Sequence, residues 1–213
     1  MRHRWLLIGS IILLALWLLL LLDFASGSFT GHMLVHMGVV AVAAPLIAFG
    51  IAGTRYDVIA RTRWITPLSA SLLELVLVWI WHAPVMRRAS DAFFWVSALE
   101  QASFLAGGLV LWLACLCGLK AGTLAGRLGG AVGLVLTSIH MTLLGVLLTM
   151  SPRPLYGEDF VTCFGLTLSP GQDQQLGGIV MLLVGAAAYL AGGVALLAGV
   201  LGRDPPEPAK GAL

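Results

Sequence analysis

The stretch GHMLVHMGVVAVAAPLIAFGIAG, residues 31–53, contains no Asp, Glu, Lys or Arg and is long enough to cross a membrane as one helix. It nevertheless begins with two His-Met pairs, His32 with Met33 and His36 with Met37. Residues four apart lie on one face of a helix, one turn from each other. Because ionisable side chains are unfavourable on a surface that faces lipid, the pattern predicts a membrane helix whose histidine face points into the protein.

The composition of the whole chain is that of an integral membrane protein. Of its 213 residues, 59% are hydrophobic and 10% are charged, whereas a soluble domain contains about a quarter charged residues. The mean hydropathy is +0.97. A net charge of +2 and the lack of a long basic block argue against a nucleic-acid-binding protein. The three cysteines match no common disulfide or zinc framework.

Six stretches are apolar over the roughly 20 residues that a helical span needs. They are Trp5–Leu22, Gly31–Gly53, Trp64–His82, Phe93–Leu119, Leu128–Ser151 and Leu176–Gly202. None alternates with a period of two residues, which excludes a transmembrane β-barrel. We therefore expect an all-α, polytopic transmembrane helix bundle of about six spans, formed as a single domain by residues 1–202. The polar, proline-rich residues 203–213 predict a short disordered cytoplasmic tail.

The first stretch, which follows MRHR, also fits a signal peptide, but its apolar core exceeds the usual length and we favour a retained anchor. Lys and Arg predict the orientation, because they are enriched in short cytoplasmic loops. With the N-terminus inside, nine of the twelve Lys and Arg residues lie in inner segments. The other three, Arg87, Arg88 and Arg153, lie in outer loops. Both termini are therefore expected in the cytoplasm.

Four histidines are candidate metal ligands: His32, His36, His82 and His140. His82 ends the third stretch in WIWHAP, and His140 lies near the middle of the fifth. The four come from three helices and are expected to converge in the outer half of the membrane. Imidazole suits copper, zinc and iron, whereas thioethers select cuprous copper. Weaker candidates are Met33, Met37 and Glu100, the last as a carboxylate that orients an imidazole.

Each of these residues also has a purely structural interpretation. A histidine at a helix end is often interfacial or a hydrogen-bonded core group, and His140 has Thr137 and Ser138 near it as partners. Buried methionines usually fill the core. Glu74 and Glu100 remain open between pairing with a histidine, carrying protons and hydrogen bonding across helices.

Three functions remain open from the residues alone. No nucleotide-binding loop, H-E-x-x-H pair or nucleophile elbow is present, so we expect no enzyme of those classes. A metal site reached from the extracytoplasmic side, with copper as a candidate ion, is favoured, and haem binding for electron transfer is an alternative, because histidines on different helices can hold a haem iron. A copper permease is the third, although we expect few polar side chains below His140. Cys115 and Cys117 are interpreted as packing residues, and Cys163 has no assigned role.

Four blocks of the sequence resemble the CtaG membrane family, the assembly factors for caa-type cytochrome c oxidases. HMLVHMGVVAVAAPLIAFG resembles the family's second-helix motif, and WIWHAP is similar to its W-x-W-H-x-P segment. LTSIHMTLLGVLLTMSPRPLY looks like a later helix that closes with P-R-P-L-Y, and DQQLGGIVMLLVG like the start of the final helix. The blocks occur in family order over most of the chain.

The resemblance implies a six- or seven-helix protein of the bacterial inner membrane that delivers or inserts copper during oxidase maturation. The mixture of His and Met fits cuprous copper, Cu(I). The implied partners are an oxidase subunit, a periplasmic copper donor and membrane lipid, with no nucleic acid. The motif histidines fall on His32, His36, His82 and His140.

The chain departs from the family at one position. Members often have a histidine of the fourth helix in an L-E-H context, whereas this chain reads SALEQASF, with Gln101 at that place. An amide is a poor metal ligand. Either the site uses fewer histidines, or that position does not bind the metal.

Overall fold

The computed structural model describes residues 2–21, 27–62, 64–121, 123–163 and 165–201, most of which are helical. The helices are α1 (Arg2–Leu21), α2 (Phe29–Met37), α3 (Ala44–Ile51), α4 (Pro67–Trp81), α5 (Pro84–Ala92), α6 (Phe94–Ala121), α7 (Leu124–Met150) and α8 (Pro170–Leu201), with a π-helical segment, Gly38–Ala43, joining α2 to α3. Within these residues, five spans are long and apolar enough to cross a membrane, and α4 with α5 makes a sixth, bent by 70°.

The predicted all-α polytopic bundle is confirmed. The tail 203–213 lies outside the described residues, and the orientation in the membrane stays a prediction. Helix α4 begins at Pro67, slightly later than the predicted span, because the Thr66 and Ser69 side chains each accept the other's backbone N–H and cap the helix there.

A proline accounts for the change of helical form within the second span. In the π-helical segment the Ala44 N–H donates to the Val39 carbonyl, five residues back. The next residue, Pro45, has no N–H, so the Val40 carbonyl has no backbone donor in this pattern. The indole N–H of Trp112 on α6 donates to the Val40 carbonyl instead, at 3.1 Å. The wider turn directly follows the histidine segment, and π turns often occur at functional sites.

Residues 84–92, which we expected to form an outer loop, form helix α5. Pro84 lies at the start of this helix, where its missing N–H is not needed. Arg87 and Asp91, four residues apart, form an ion pair with Arg87 Nη2 2.6 Å from Asp91 Oδ1. The bend between α4 and α5 places the Arg87 side chain inside the protein, where it is 8% exposed.

Asp173 at the start of α8 caps helix α2. Its carboxylate accepts hydrogen bonds from the Phe29 N–H at 2.5 Å, the Thr30 N–H at 3.0 Å and the Ser28 hydroxyl at 2.8 Å. The first N–H groups of a helix have no partner within it, and a negative charge there is also favoured by the helix dipole. This contact joins the two helices and holds the turn that leads to His32.

The loop between α7 and α8 contains a short antiparallel hairpin, β1 (Val161–Cys163) with β2 (Leu166–Leu168). Strands of three residues are too short to show a period of two in the sequence. Gln174 fixes this loop to α7: its Nε2 donates to the Leu148 carbonyl at 2.9 Å, and its Oε1 accepts from the Leu155 N–H at 2.6 Å.

Helices α7 and α8 approach each other closely through glycines. A Cβ added at Gly145 would lie 2.9 Å from Gly178 O, and one added at Gly178 would lie 2.5 Å from Thr149 Oγ1. Helix α1 packs against α3 in the same way: a Cβ added at Gly9 would lie 2.8 Å from Ile47 Cγ1. Small residues allow helix backbones to pack tightly in a membrane, where no hydrophobic force brings helices together.

Candidate metal centre

His36 and His82 adjoin each other inside the bundle, although they come from different helices. Their ring centroids are 5.4 Å apart and their planes are inclined at 61°. Both side chains are buried, and Phe104 of α6 packs on His36 with centroids 3.9 Å apart. Among the described residues, neither nitrogen of His36 has a hydrogen-bond partner, nor does Nε2 of His82. Buried polar atoms without partners are uncommon and require an explanation.

The backbone determines which nitrogen of His82 is available. Its Nδ1 lies 2.6 Å from the Val78 carbonyl, an acceptor, so Nδ1 carries the proton and Nε2 keeps its lone pair. Metal-binding histidines commonly donate their second N–H to a carbonyl in this way. The His82 carbonyl accepts from the Tyr156 hydroxyl at 2.6 Å. Burial raises the pKa of Tyr156 to about 12, so this hydroxyl remains a donor at neutral pH.

His32, one turn before His36, is held by two charged side chains. Its Nδ1 lies 2.7 Å from Arg87 Nη1, and its Nε2 lies 3.3 Å from Glu100 Oε1. A guanidinium group only donates, so Nδ1 accepts and Nε2 carries the proton that faces Glu100. In this arrangement both nitrogens of His32 are engaged, and neither has a lone pair to offer.

Glu100 is a buried carboxylate, 1% exposed, with two further contacts on its Oε2 atom. The Ser90 hydroxyl donates to Oε2 at 2.5 Å, and Arg87 Nη1 lies 3.9 Å from it. A buried carboxylate is stable only when it is paired and hydrogen-bonded, as it is here. Glu100 therefore contacts an imidazole, that of His32. Its role as a carboxylate that orients a metal-ligating histidine stays a prediction.

A cavity of about 650 Å³ lies beside this cluster. Its lining includes His32, Arg87 and Asp91, together with Glu158 and Asp159 of the loop after α7. The carboxylates of Asp91, Glu158 and Asp159 outnumber the guanidinium group of Arg87, so the electrostatic potential in this cavity favours a cation.

His140 does not join the other three histidines. It is buried on α7, and within the described residues neither of its nitrogens has a hydrogen-bond partner and its ring contacts none of theirs. Its neighbour Thr137 bonds instead to Ser71 of α4, hydroxyl to hydroxyl at 2.8 Å. In the described part of the chain, no three His, Cys, Asp or Glu side chains are placed to hold one metal ion together.

The two candidate methionines face α8. A Cβ added at Gly177 would lie 3.1 Å from Met33 Cγ, and one at Gly185 would lie 3.4 Å from Met37 Cε. Both side chains are fully buried, at 0% and 1% exposed. In this position both methionines pack against α8, on the helix face next to the histidines.

A second buried polar cluster lies deeper in the bundle around Glu74 of α4. Its Oε1 accepts from the Tyr189 hydroxyl of α8 at 3.0 Å, whereas its Oε2 has no hydrogen-bond partner among the described residues. Ser71, which is hydrogen-bonded to Thr137 of α7, lies about one turn before Glu74 on α4. These residues are scattered in the sequence and meet only through packing, so their spacing along the chain does not reveal the cluster. The expectation of few polar side chains below His140 stays a prediction.

Of the remaining candidates, Gln101, Cys115 and Cys163 are buried and Cys117 is half-buried. Gln101, at the position of the missing family histidine, is 4% exposed, and neither amide atom has a partner within the described residues. The three cysteines, all in the described part of the chain, form no disulfide. Cys115 is fully buried in the core, and Cys163 lies in strand β1.

Three residues that shape the centre were absent from the sequence candidates: Arg87, Tyr156 and Asp173. Arg87 and Asp91 are four residues apart in MRRASDA, a spacing that allows an ion pair within one helix. The proline in WIWHAP indicates the end of a helix, so the sequence did not predict a second helix directly after it. Tyr156 and Asp173 stand in SPRPLY and DQQLGG, two of the blocks that carried the family resemblance. Their roles, holding the His82 carbonyl and capping α2, depend on contacts between distant segments.

Comparison with curated proteins and with solved structures found no match. A family model does match, the one described as cytochrome c oxidase caa3 assembly factor (Caa3_CtaG), and it covers residues 1–202. This range includes all the helices and every histidine described above. The resemblance found in the sequence blocks is confirmed: the chain belongs to the family of cytochrome c oxidase caa3 assembly factors.

Proposed function

We propose that this membrane protein assists oxidase assembly by holding a cuprous ion between His36 and His82 and passing it to an oxidase subunit in the same bilayer. The observation that carries the proposal is the buried imidazole pair, in which three nitrogens have no partner among the described residues. Desolvating such nitrogens is unfavourable unless a ligand binds them in at least one state of the protein.

The spacing of the pair supports a shared ion. A metal about 2 Å from a ring nitrogen lies about 3 Å from the ring centroid, so two imidazoles on one ion have centroids up to about 6 Å apart. The observed separation is 5.4 Å. The tautomer of His82 also fits, because its Nδ1 proton is held by the Val78 carbonyl and Nε2 is left for the metal.

The number of donors favours cuprous copper over zinc. Zinc sites use three or four protein ligands in tetrahedral geometry, whereas this pair supplies two neutral nitrogens, a number that Cu(I) accepts. A two-ligand site also leaves the ion accessible to a competing ligand, as delivery requires. A haem between the rings is disfavoured, because the macrocycle would have to fit where Phe104 already packs on His36.

The route of the ion follows from the cavity beside His32. Its carboxylates, Asp91, Glu158 and Asp159, would attract a cation from the periplasmic side of a bacterial inner membrane, where we expect a copper donor. With both termini in the cytoplasm, the centre lies in the outer half of the bilayer. The protein acts without catalysing a reaction, since its part is to bind and release the ion.

The test is to load the purified full chain with Cu(I) under anaerobic, reducing conditions and to measure bound copper. We expect about one ion per chain in the wild type and a large loss in His36→Ala and His82→Ala. His3→Ala is the matched control, because His3 is exposed on α1. Unchanged copper content in both variants would overturn the proposed ligands.

Two further measurements separate the alternatives. A strong Soret band in the visible spectrum of the purified protein would favour haem binding. Copper accumulation inside proteoliposomes that contain only this protein would favour a permease, whereas transfer to an oxidase subunit without accumulation supports the assembly role.

A further inference from the structure

The His36 and His82 rings are closed off from the acidic cavity. The three nitrogens that would hold the ion are buried. Of the described residues that line the cavity, His32 is the one histidine. A cuprous ion in the cavity therefore cannot reach the pair formed by His36 and His82 unless a side chain moves, and the same movement is needed when the ion leaves.

Two stacked aromatic rings separate the cavity from this pair. Phe29 and Tyr156 both line the cavity, and their ring centroids are 4.2 Å apart with planes inclined at 12°. On the other side, the Phe29 ring stands perpendicular to the His82 ring, with centroids 6.5 Å apart. The Tyr156 hydroxyl donates to the His82 carbonyl at 2.6 Å. Both aromatic side chains are buried, so together they close the way from the cavity to His82.

Of the two rings, Tyr156 has the weaker attachment. Phe29 lies in the first turn of α2, and the Asp173 carboxylate holds its backbone N–H. Tyr156 lies in the loop after α7, and one hydrogen bond, to the His82 carbonyl, holds its hydroxyl. The next residue, Gly157, has a φ of 69°, which glycine adopts without strain and which lets the loop turn sharply there.

Tyr156 also has space to move into. It lines a second cavity, of about 590 Å³, to which His82 contributes as well. The other lining residues are mostly apolar and include Leu144 and Leu147 of α7. Tyr156 is thus a wall that the acidic cavity and the apolar cavity share, and the apolar one suits an aromatic ring.

We propose that Tyr156 is a gate that sets the rate at which copper enters and leaves the pair formed by His36 and His82. The inference rests on the proposed copper function. In the closed position the Tyr156 hydroxyl holds the His82 carbonyl and the ring covers the pair. When this hydrogen bond breaks and the ring swings off Phe29 into the apolar cavity, an ion from the acidic cavity reaches His82 Nε2.

The first experiment measures copper exchange in Tyr156→Phe, with the full chain in detergent and a chromophoric Cu(I) chelator as competitor. The substitution removes the hydrogen bond that opening has to break, so uptake and release should both become roughly five- to tenfold faster. Because both rates rise, the dissociation constant should change far less than either rate. Tyr56→Phe is the matched control, since it removes the same hydroxyl from a tyrosine that is 63% exposed, and it should exchange copper as the wild type does.

Two results of this experiment would refute the gate. One is copper exchange in Tyr156→Phe at the wild-type rate or below it. The other is faster release with unchanged uptake, which would show that the hydroxyl supports the bound state of the site and does not limit access to it.

A second readout requires no copper. Diethyl pyrocarbonate modifies accessible neutral imidazoles, and mass spectrometry measures each histidine separately. His36 and His82 should react slowly in the copper-free wild type and several-fold faster in Tyr156→Phe. His3, exposed on α1, and His140, buried on α7, are internal controls that should react equally in both proteins. Equal modification rates of His36 and His82 in the two proteins would overturn the proposal.

A further variant covers a failure to fold. If Tyr156→Phe does not fold, Phe29→Leu decides the question, because it removes the other ring of the stack. Faster copper exchange with faster modification of His82 supports the gate, and rates equal to or below those of the wild type refute it. A wild type that binds no copper ends the proposed function, and histidine modification then still tests whether Tyr156 closes the pair.

Discussion

At the scale of single residues, the buried polar groups divide into those that are satisfied and those that are not. His32 contacts Arg87 and Glu100, and Oε2 of Glu100 accepts from the Ser90 hydroxyl, whereas Oε1 of Glu100 lies 3.3 Å from His32 Nε2 without a hydrogen bond among the described residues. His36 is left unpaired among the described residues. Under the proposed function, the partner that the His36 nitrogens lack is the metal ion. Glu74 is different, since its Oε1 has a donor and no cation contacts it in the described part of the chain.

We expect Glu74 to be a neutral carboxylic acid, because an unpaired carboxylate in the bundle interior would be far too unfavourable. Glu74→Gln should therefore leave the free energy of unfolding nearly unchanged and remove one infrared band of protonated carboxyl groups. Tyr189→Phe should lower the free energy of unfolding by about 1 kcal/mol, since Glu74 loses its donor. Glu158→Gln, at an exposed loop position, is the control.

The opposite results would identify Glu74 as ionised. In that case the infrared band would be the same in Glu74→Gln and wild type, and the substitution would stabilise the protein by removing a buried charge. Measurement requires only unfolding curves and difference spectra of detergent-solubilised protein.

At the scale of elements, the residues of the candidate centre lie at or near the ends and interruptions of helices. The π-helical segment begins two residues after His36, His82 caps the C-terminus of α4, and α5 supplies Arg87. The N-terminus of α2 is capped from α8 by Asp173 rather than by its own loop alone. A helix end exposes backbone groups that need partners, so each end creates a contact with another element.

Removing the Asp173 carboxylate should loosen the start of α2. Asp173→Ala leaves two backbone N–H groups and the Ser28 hydroxyl without their acceptor, and should lower the free energy of unfolding by about 2–3 kcal/mol. Hydrogen exchange should increase at Phe29 and Thr30. Asp159→Ala, exposed in the neighbouring loop, should change neither quantity. Equal stability of the two variants would show that the cap is dispensable.

At the scale of the whole molecule, close backbone contact between spans decides which side chains meet. Helices α7 and α8 touch at Gly145 and Gly178, and α1 meets α3 at Gly9. Such contacts hold α8, and with it Asp173 and Tyr189, against the helices of the two polar clusters. Since lipid is as apolar as the helix surfaces, shape and hydrogen bonds arrange the bundle.

Gly145→Ala should disturb this arrangement. Its new Cβ would lie 2.9 Å from Gly178 O and 3.1 Å from the Leu182 N atom, backbone atoms that cannot rotate away. We expect the free energy of unfolding to fall by roughly 1–3 kcal/mol. Gly171→Ala on α8 is the control, because nothing lies within 4 Å of its added Cβ. A Gly145→Ala protein as stable as Gly171→Ala would mean that the helices can separate without loss.

Local properties explain what could be predicted from the sequence. Six long apolar runs determined an all-α bundle, since hydropathy depends only on the composition of each run. The spacing of His32 and His36 placed both on one face of their helix. The four motif blocks pointed to the family that the model comparison confirmed.

Only the tertiary structure decided which of these groups meet. It paired His36 with His82, occupied His32 with Arg87 and Glu100, and left His140 apart. The order and rotation of helices in a bundle depend on contacts between residues far apart in the chain, and helical periodicity carries no information about them. For the same reason, a charge counted as part of an outer loop, Arg87, is a buried partner of a histidine 55 positions away.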